Sequence, residues 1–243
     1  MKETNVADSG VRHSPNIALL IDADNARPAD LDAVLTILGD LGTVNVRRAY
    51  GNWKKPGLSG WSAIVLRHAI EPQQQFDITK GKNATDMKMT IDAMDLLYAG
   101  HVDGFGIMSS DSDFMAIATR IRQNGLPVYG FGTDRTPEGF RQACTRFIDV
   151  SALEAATERT DTAQPPLPVD TELVALFADA WKASKRDDRG FASLAEMGQR
   201  VANRSSFDAR SFGFSRLSDL VESLPNFTTE RRDKGALFVR RVR

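Results

Sequence analysis

Five apolar residues without a polar break, Ile17 to Ile21, run up to Asp22. That pattern predicts a strand buried on both faces of a parallel sheet, with Asp22 at its carboxyl end. The period then changes repeatedly between two and 3.6. A helix is predicted from about Pro28 to Leu41, with Pro28 in its first turn, followed by a strand from Val44 to Tyr50. After the loop WKKPGLSG comes a helix from about Trp61 to Ile70. A short extended piece, Gln75 to Thr79, precedes an acidic helix, Asp86 to Tyr98. Phe105, Ile107 and Met108 lead a strand into Ser109, and Phe114, Ile117, Ala118 and Ile121 mark a helix reaching Asn124. A strand over Pro127 to Phe131 and a last helix and strand through Phe140 to Val150 complete the unit. Such alternation predicts an α/β fold of three layers, with helices on both faces of a mostly parallel sheet.

Past this unit the pattern stops. Thr157 to Pro168, with TAQPPLP at its core, carries no period and reads as a linker. Helical stretches then resume at Glu172 to Lys185, Leu194 to Asn203 and Phe214 to Leu224. Asp233 to Gly235 can turn a hairpin whose second strand is Leu237 to Val242. Three helices and a basic hairpin predict a small winged-helix-like domain, with Phe191, Leu194, Val201, Phe214, Leu217 and Leu220 in its core. The expected organisation is a tail at 1–15, an α/β domain at 16–156, a linker at 157–169 and the small domain at 170–243.

Composition narrows the chemistry. The 243 residues contain one cysteine and three histidines, which excludes an internal disulfide and a thiolate or Cys/His zinc site. Any metal must therefore sit on oxygen. The net charge of −1 hides an asymmetry: residues 1–169 hold 17 basic and 21 acidic side chains, the remainder 14 and 11. The small domain is the basic one. The first residues have no apolar h-region, and no apolar run approaches a bilayer-spanning length, so a cytoplasmic protein without membrane contact is expected.

Carboxylates concentrate in three strings: IALLIDADN (17–25), KNATDMK (82–88) and GFGIMSSDSDF (104–114). Ligands of open α/β sheets bind outside the carboxyl ends of strands, where strand order reverses. If it reverses between the first strand and the one ending at Ser109, Asp22 and Asp111 become neighbours. Asp22, Asp86, Asp111 and Asp113 can then supply hard oxygens to Mg²⁺ or Mn²⁺. Asn25 can orient a water or fix the turn, and Lys82 and Lys88 can hold a phosphate backbone. Blander roles exist for each residue: Asp113 as the cap of the helix at Phe114, Asp86 as a first-turn charge, Asn25 as a turn residue and the lysines as solvated surface. Asp92, six positions after Asp86, points roughly a third of a turn away, which suits a supporting or structural role.

The combination LIDADN, KNATDMKMTID and SSDSDF resembles the NYN domain, a branch of the PIN-like metal-dependent ribonucleases that includes the bacterial LabA-like proteins. The resemblance spans nearly all of residues 16 to 150. It implies a Mg²⁺ or Mn²⁺ site cutting RNA endonucleolytically. The family's first-strand aspartate falls on Asp22, its asparagine on Asn25, its helix aspartate on Asp86 with a further acid at Asp92, and its strand-end pair on Asp111 and Asp113.

GFASLAEMGQRV and FSRLSDLVESLPNF resemble the LOTUS (OST-HTH) module, which is associated with RNA binding. On that reading Arg231, Arg232, Lys234, Arg240, Arg241 and Arg243 of the wing face phosphates of single-stranded or structured RNA. The same residues read as ordinary solvated charges if the module instead mediates a homodimer or holds a protein partner. Two other classes compete for the whole chain: a non-catalytic RNA-binding adaptor, and a haloacid-dehalogenase-like phosphatase using Asp22 as nucleophile and Asp24 as acid. No Gly-Thr follows that DxD, contrary to the phosphatase pattern.

Overall fold

The computed structural model describes residues 14–76, 83–153, 171–232 and 235–242. Six strands form one sheet: β1 (Asn16–Asp22), β2 (Thr43–Gly51), β3 (Glu71–Gln74), β4 (Gly104–Met108), β5 (Val128–Gly132) and β6 (Arg146–Asp149). Their order is β3-β2-β1-β4-β5-β6 and every pairing is parallel. Strand order reverses between β1 and β4, where Ile21 stands opposite Met108. Parallel neighbours need long crossovers, which here are helical. Those helices are α1 (Leu31–Gly39), α2 (Trp61–Arg67), α3 (Ala84–Ala99), α4 (Met115–Gln123) and α5 (Glu138–Ala143).

Both sheet faces are buried. On one, Ala18, Leu20, Tyr50, Phe105 and Ile107 pack with residues of α3, α4 and α5 such as Met89, Ile117 and Phe140. On the other, Leu19, Ile21 and Ala49 pack with α1 and α2 through Leu31, Val34, Leu38 and Trp61. Alternate residues of β1 thus serve two cores, which explains its unbroken apolar run.

The element pattern follows the expectation, with local differences. Pro28–Asp30 and Ser112–Phe114 are one-turn 3-10 helices ahead of α1 and α4. The helix expected to reach Ile70 stops at Arg67, because Ala69 takes a left-handed conformation (φ 49°) and Ile70 turns inward. The extended piece therefore begins earlier than Gln75, at Glu71, and residues 77–82 lie outside the described residues. Gly100, at φ 68°, ends α3 in the left-handed conformation that glycine adopts without a Cβ clash.

The smaller domain contains α6 (Thr171–Ala183), β7 (Ala192–Ser193), α7 (Leu194–Arg204), α8 (Leu217–Ser223), β8 (Phe227–Arg231) and β9 (Leu237–Arg241). The hairpin β8–β9 is joined by β7 in an antiparallel sheet ordered β7-β9-β8; β7, too short to carry a period, was not expected. Leu194, Val201 and Leu220 are buried with Phe177 and Met197, and Phe214 and Leu217 pack against them half-buried. The linker expectation falls on residues outside the described set. The two domains nevertheless touch. On β6, the Phe147 amide donates to the Ser206 carbonyl (2.8 Å) and the Asp149 amide to Ser211 Oγ (3.1 Å). Arg210 reaches across to Asp40 at 2.9 Å. The small domain thereby covers main-chain donors that an edge strand leaves open.

Candidate metal centre

All six strands end on the same edge of the sheet, and the acidic strings meet there. Asp22 closes β1, is fully buried, and is held through one oxygen: Oδ2 accepts from Asn25 Nδ2 (2.9 Å) and from Ser109 Oγ (2.7 Å). Its other oxygen, Oδ1, is buried without a hydrogen-bond partner among the described residues. Burial raises the Asp22 carboxyl above the ordinary aspartate range, against the lowering effect of those two donors. A buried carboxylate oxygen with nothing to accept is unfavourable unless a cation or proton reaches it.

Asp86 lies in the first turn of α3. Asp111 follows β4 and caps the short helix behind it, its Oδ1 accepting the Asp113 amide at 2.9 Å. The cap is thus Asp111 and not Asp113. Asp113 instead accepts from the Asn83 side chain. One carboxylate oxygen each from Asp86, Asp111 and Asp113 lie within 4.8 Å of one another. Opposite oxygens of an octahedral ion at the usual Mg²⁺ distance stand about 4.2 Å apart, so small adjustments bring these three onto one ion. Burial, then the charges of Asp22, Asp111, Asp113 and Asp24, push Asp86 up to about 6. The donors are all hard oxygens, as Mg²⁺ and Mn²⁺ require, so Asp86, Asp111 and Asp113 fit the ion; Asp22 stands outside that group of three, although its charge acts on Asp86.

Asp92 is not among the three. It is buried on the sheet side of α3 and accepts from Tyr50 Oη (3.0 Å), Lys88 Nζ (2.5 Å) and Arg48 (3.5 Å). The structure thus places Asp92 as the anchor of a cationic group, and pairs Lys88 with it. Burial first, and then the Asp92 charge, raise the Tyr50 phenol, which stays protonated to donate that bond. Asn25 is placed as an orienter of Asp22. Lys82 lies outside the described residues.

Residues to which the sequence assigned no part in a metal site complete it. Ser109 and Asn83 each hold a carboxylate, and both lie inside the strings already singled out. Asp24 accepts from Lys55 Nζ at 3.3 Å and from the Thr85 hydroxyl at 3.4 Å. Nothing near Lys55 in sequence marks it.

Two of the wing arginines, Arg231 and Arg232, are matched by acids. Arg231 pairs with Glu222 (3.1 Å), Arg232 with Asp187 (2.6 Å) and Glu230 (3.0 Å), and Arg189 also with Glu230 (2.6 Å). Arg232 further covers the Phe238 ring at 4.2 Å, and Arg240 covers Phe191 at 5.1 Å while its side chain remains exposed. Arg241 lies on β9. Lys234 and Arg243 lie outside the described residues.

A doubly wound sheet with carboxylates gathered at its switch point is the architecture of PIN-like nuclease domains. Residues 16–154 match the NYN domain family, and residues 166–239 match the OST-HTH/LOTUS domain. The chain belongs to the NYN family, joining a domain of the nuclease superfamily to an RNA-binding module. Among curated proteins it is 26% identical over 137 residues to an uncharacterized protein of Methanocaldococcus jannaschii; the match covers 55% of this chain and 52% of that one, about half the length of each. Among solved structures, a protein of unknown function from Vibrio parahaemolyticus is 20% identical with a TM-score of 0.46, covering 58% of this chain and 95% of that one. No helix among the described residues is long and apolar enough to cross a membrane.

Proposed function

We propose that the protein is a metal-dependent endoribonuclease. The observation that carries this reading is the carboxylate group of Asp86, Asp111 and Asp113, which no cation among the described residues pairs with, backed by Asp22 Oδ1, which has no hydrogen-bond partner among them. Asp22, Asp86, Asp111 and Asp113 would hold Mg²⁺ or Mn²⁺. When bound, the ion supplies a water acidic enough to attack near neutral pH and positive charge against the phosphodiester. The chain's own residues fix the geometry. Asn25 and Ser109 lock the Asp22 carboxylate, Asn83 locks Asp113, and the Asp113 amide locks Asp111. No nucleophilic side chain is called for. The phosphatase alternative is disfavoured because no Gly-Thr follows the Asp22-Ala23-Asp24 string. The LOTUS module supplies RNA affinity, and Arg240 is an exposed wing residue able to meet a phosphate.

The test is the opening of a circular single-stranded RNA, which has no ends for an exonuclease. We expect wild type to linearise it with Mn²⁺ and not with EDTA, and Asp111→Asn to lose on the order of 10³-fold or more in rate while RNA binding survives. Equal opening by both proteins, or opening in EDTA, would refute the assignment; a wild type that binds RNA but never cuts it would favour the adaptor reading.

A further inference from the structure

A substrate with one negative charge per nucleotide must approach a cleft that already holds five aspartates, so an unassisted approach is repelled. Beside that cleft, the ends of β2 and β3 carry two lysines, Lys54 and Lys55, and an exposed aromatic ring, Phe76. The loop leaving β2 is fastened to β3: the Trp53 amide donates to Gln74 Oε1 (3.1 Å), the Trp53 indole to the Gln73 carbonyl (3.1 Å), and Gln74 Nε2 to Asn52 Oδ1 (3.0 Å). So fastened, the loop delivers Lys55 to Asp24, and Asp24 is one of the charges that raise Asp86. The neighbouring Lys54 ammonium lies 5.0 Å from the centroid of the Phe76 ring, and Phe76 is 51% exposed just past β3. Because β1, β2 and β3 are parallel neighbours, these groups stand on the same sheet edge as Asp22. Two strand spacings, roughly 10 Å, separate the ends of β1 and β3.

We propose that Lys55, Lys54 and Phe76 form an entry rim for single-stranded RNA on the nuclease domain. Lys55 exchanges Asp24 for a backbone phosphate beside the cleavage point, and Phe76 stacks a base further along the strand, with Lys54 against the intervening backbone. An exposed ring is a stacking surface that every base can use, and an ammonium is a point charge suited to a phosphate. The rim rests on the nuclease reading for what happens next, but its RNA contacts do not require metal. The alternative is that these are a surface ion pair and a surface cation–π contact that serve the fold alone.

Full-length protein in EDTA is crosslinked to 4-thiouridine-containing single-stranded RNA and digested with trypsin. We expect crosslinks in the peptide 68–80, which contains Phe76, besides those in the C-terminal domain. In anisotropy titrations Lys55→Ala should lower the slope of log affinity against log salt by roughly 0.7, with Lys55→Arg restoring it. Phe76→Ala should weaken binding by roughly 5- to 100-fold, should lose its sensitivity to an abasic nucleotide at one position, and should be rescued by Phe76→Trp. Crosslinks confined to the C-terminal domain, or unchanged slopes and affinities in variants that melt like wild type, overturn the rim. A wild type that crosslinks at the rim but does not open circular RNA overturns the nuclease reading and leaves the rim standing.

Discussion

The acidic cleft and the basic wing look alike in the sequence, each a run of like charges, yet the fold treats them in opposite ways. In the cleft, Asp86, Asp111 and Asp113 are drawn together, Asp86 is driven up to about 6, and a buried oxygen of Asp22 has no hydrogen-bond partner among the described residues. On the wing, Arg231 and Arg232 each meet an acid and Arg232 lies against an aromatic ring. Charge that the protein neutralises itself belongs to its architecture. Charge left unmatched, at an energetic cost, marks where something else must bind.

That contrast predicts effects of opposite sign when charge is removed. In EDTA at neutral pH, Asp111→Asn should stabilise the protein by roughly 1 kcal/mol, since a like charge is lost while the amide oxygen still caps the Asp113 amide. Arg232→Ala should lower the melting temperature, because Asp187 and Glu230 lose their shared partner. Melting curves of the two variants decide the matter, and changes of the same sign break the comparison.

The next effect is in the pH dependence of the metal-free protein. A carboxyl at about 6 in the fold against 3.8 when unfolded binds its proton more readily in the native state. Its contribution is therefore greatest below pH 4 and is lost as pH rises through 6. Between pH 7.5 and 5 the wild type should gain on the order of 1 kcal/mol from this group after solvent screening, and Asp86→Asn should lack that portion of the slope. Denaturant titrations at the two pH values measure it.

The smallest expected effect separates wing residues from one another. Arg240→Ala should reduce the salt slope of RNA binding by roughly 0.7, whereas Arg231→Ala, whose guanidinium is held by Glu222, should change it less. Equal losses in a salt titration would show that the wing ion pairs open on binding.

The same contrast explains what could be read from the chain. The clustering of the acids was legible because they lie within three short strings, after strand ends or in the first turn of α3, and the unbroken apolar run before Asp22 places that strand at the centre of a parallel sheet. Asn25, Asp111 and Asp113 came with the same strings. The wing pairing was not legible: Arg232 and Asp187 are 45 positions apart, and Arg189 and Glu230 are 41, so each pair exists only once the small domain has folded. Asp92 shows the limit within one helix. Its angular offset from Asp86 was readable, but its partners Tyr50 and Arg48 come from another strand. Lys55 was hidden for a similar reason, since what brings it to Asp24 is a loop fastened to β3.

Whether the cleft holds a divalent cation is tested without reference to turnover by Mn²⁺ titration followed by electron paramagnetic resonance. At pH 7.5 wild type should bind Mn²⁺ stoichiometrically, Asp111→Asn should bind it at least roughly tenfold more weakly, and at pH 5.5 the wild-type affinity should fall as Asp86 takes up its proton. Mn²⁺ binding that is equal in wild type and Asp111→Asn, or absent from both, would contradict a cation site in the cleft.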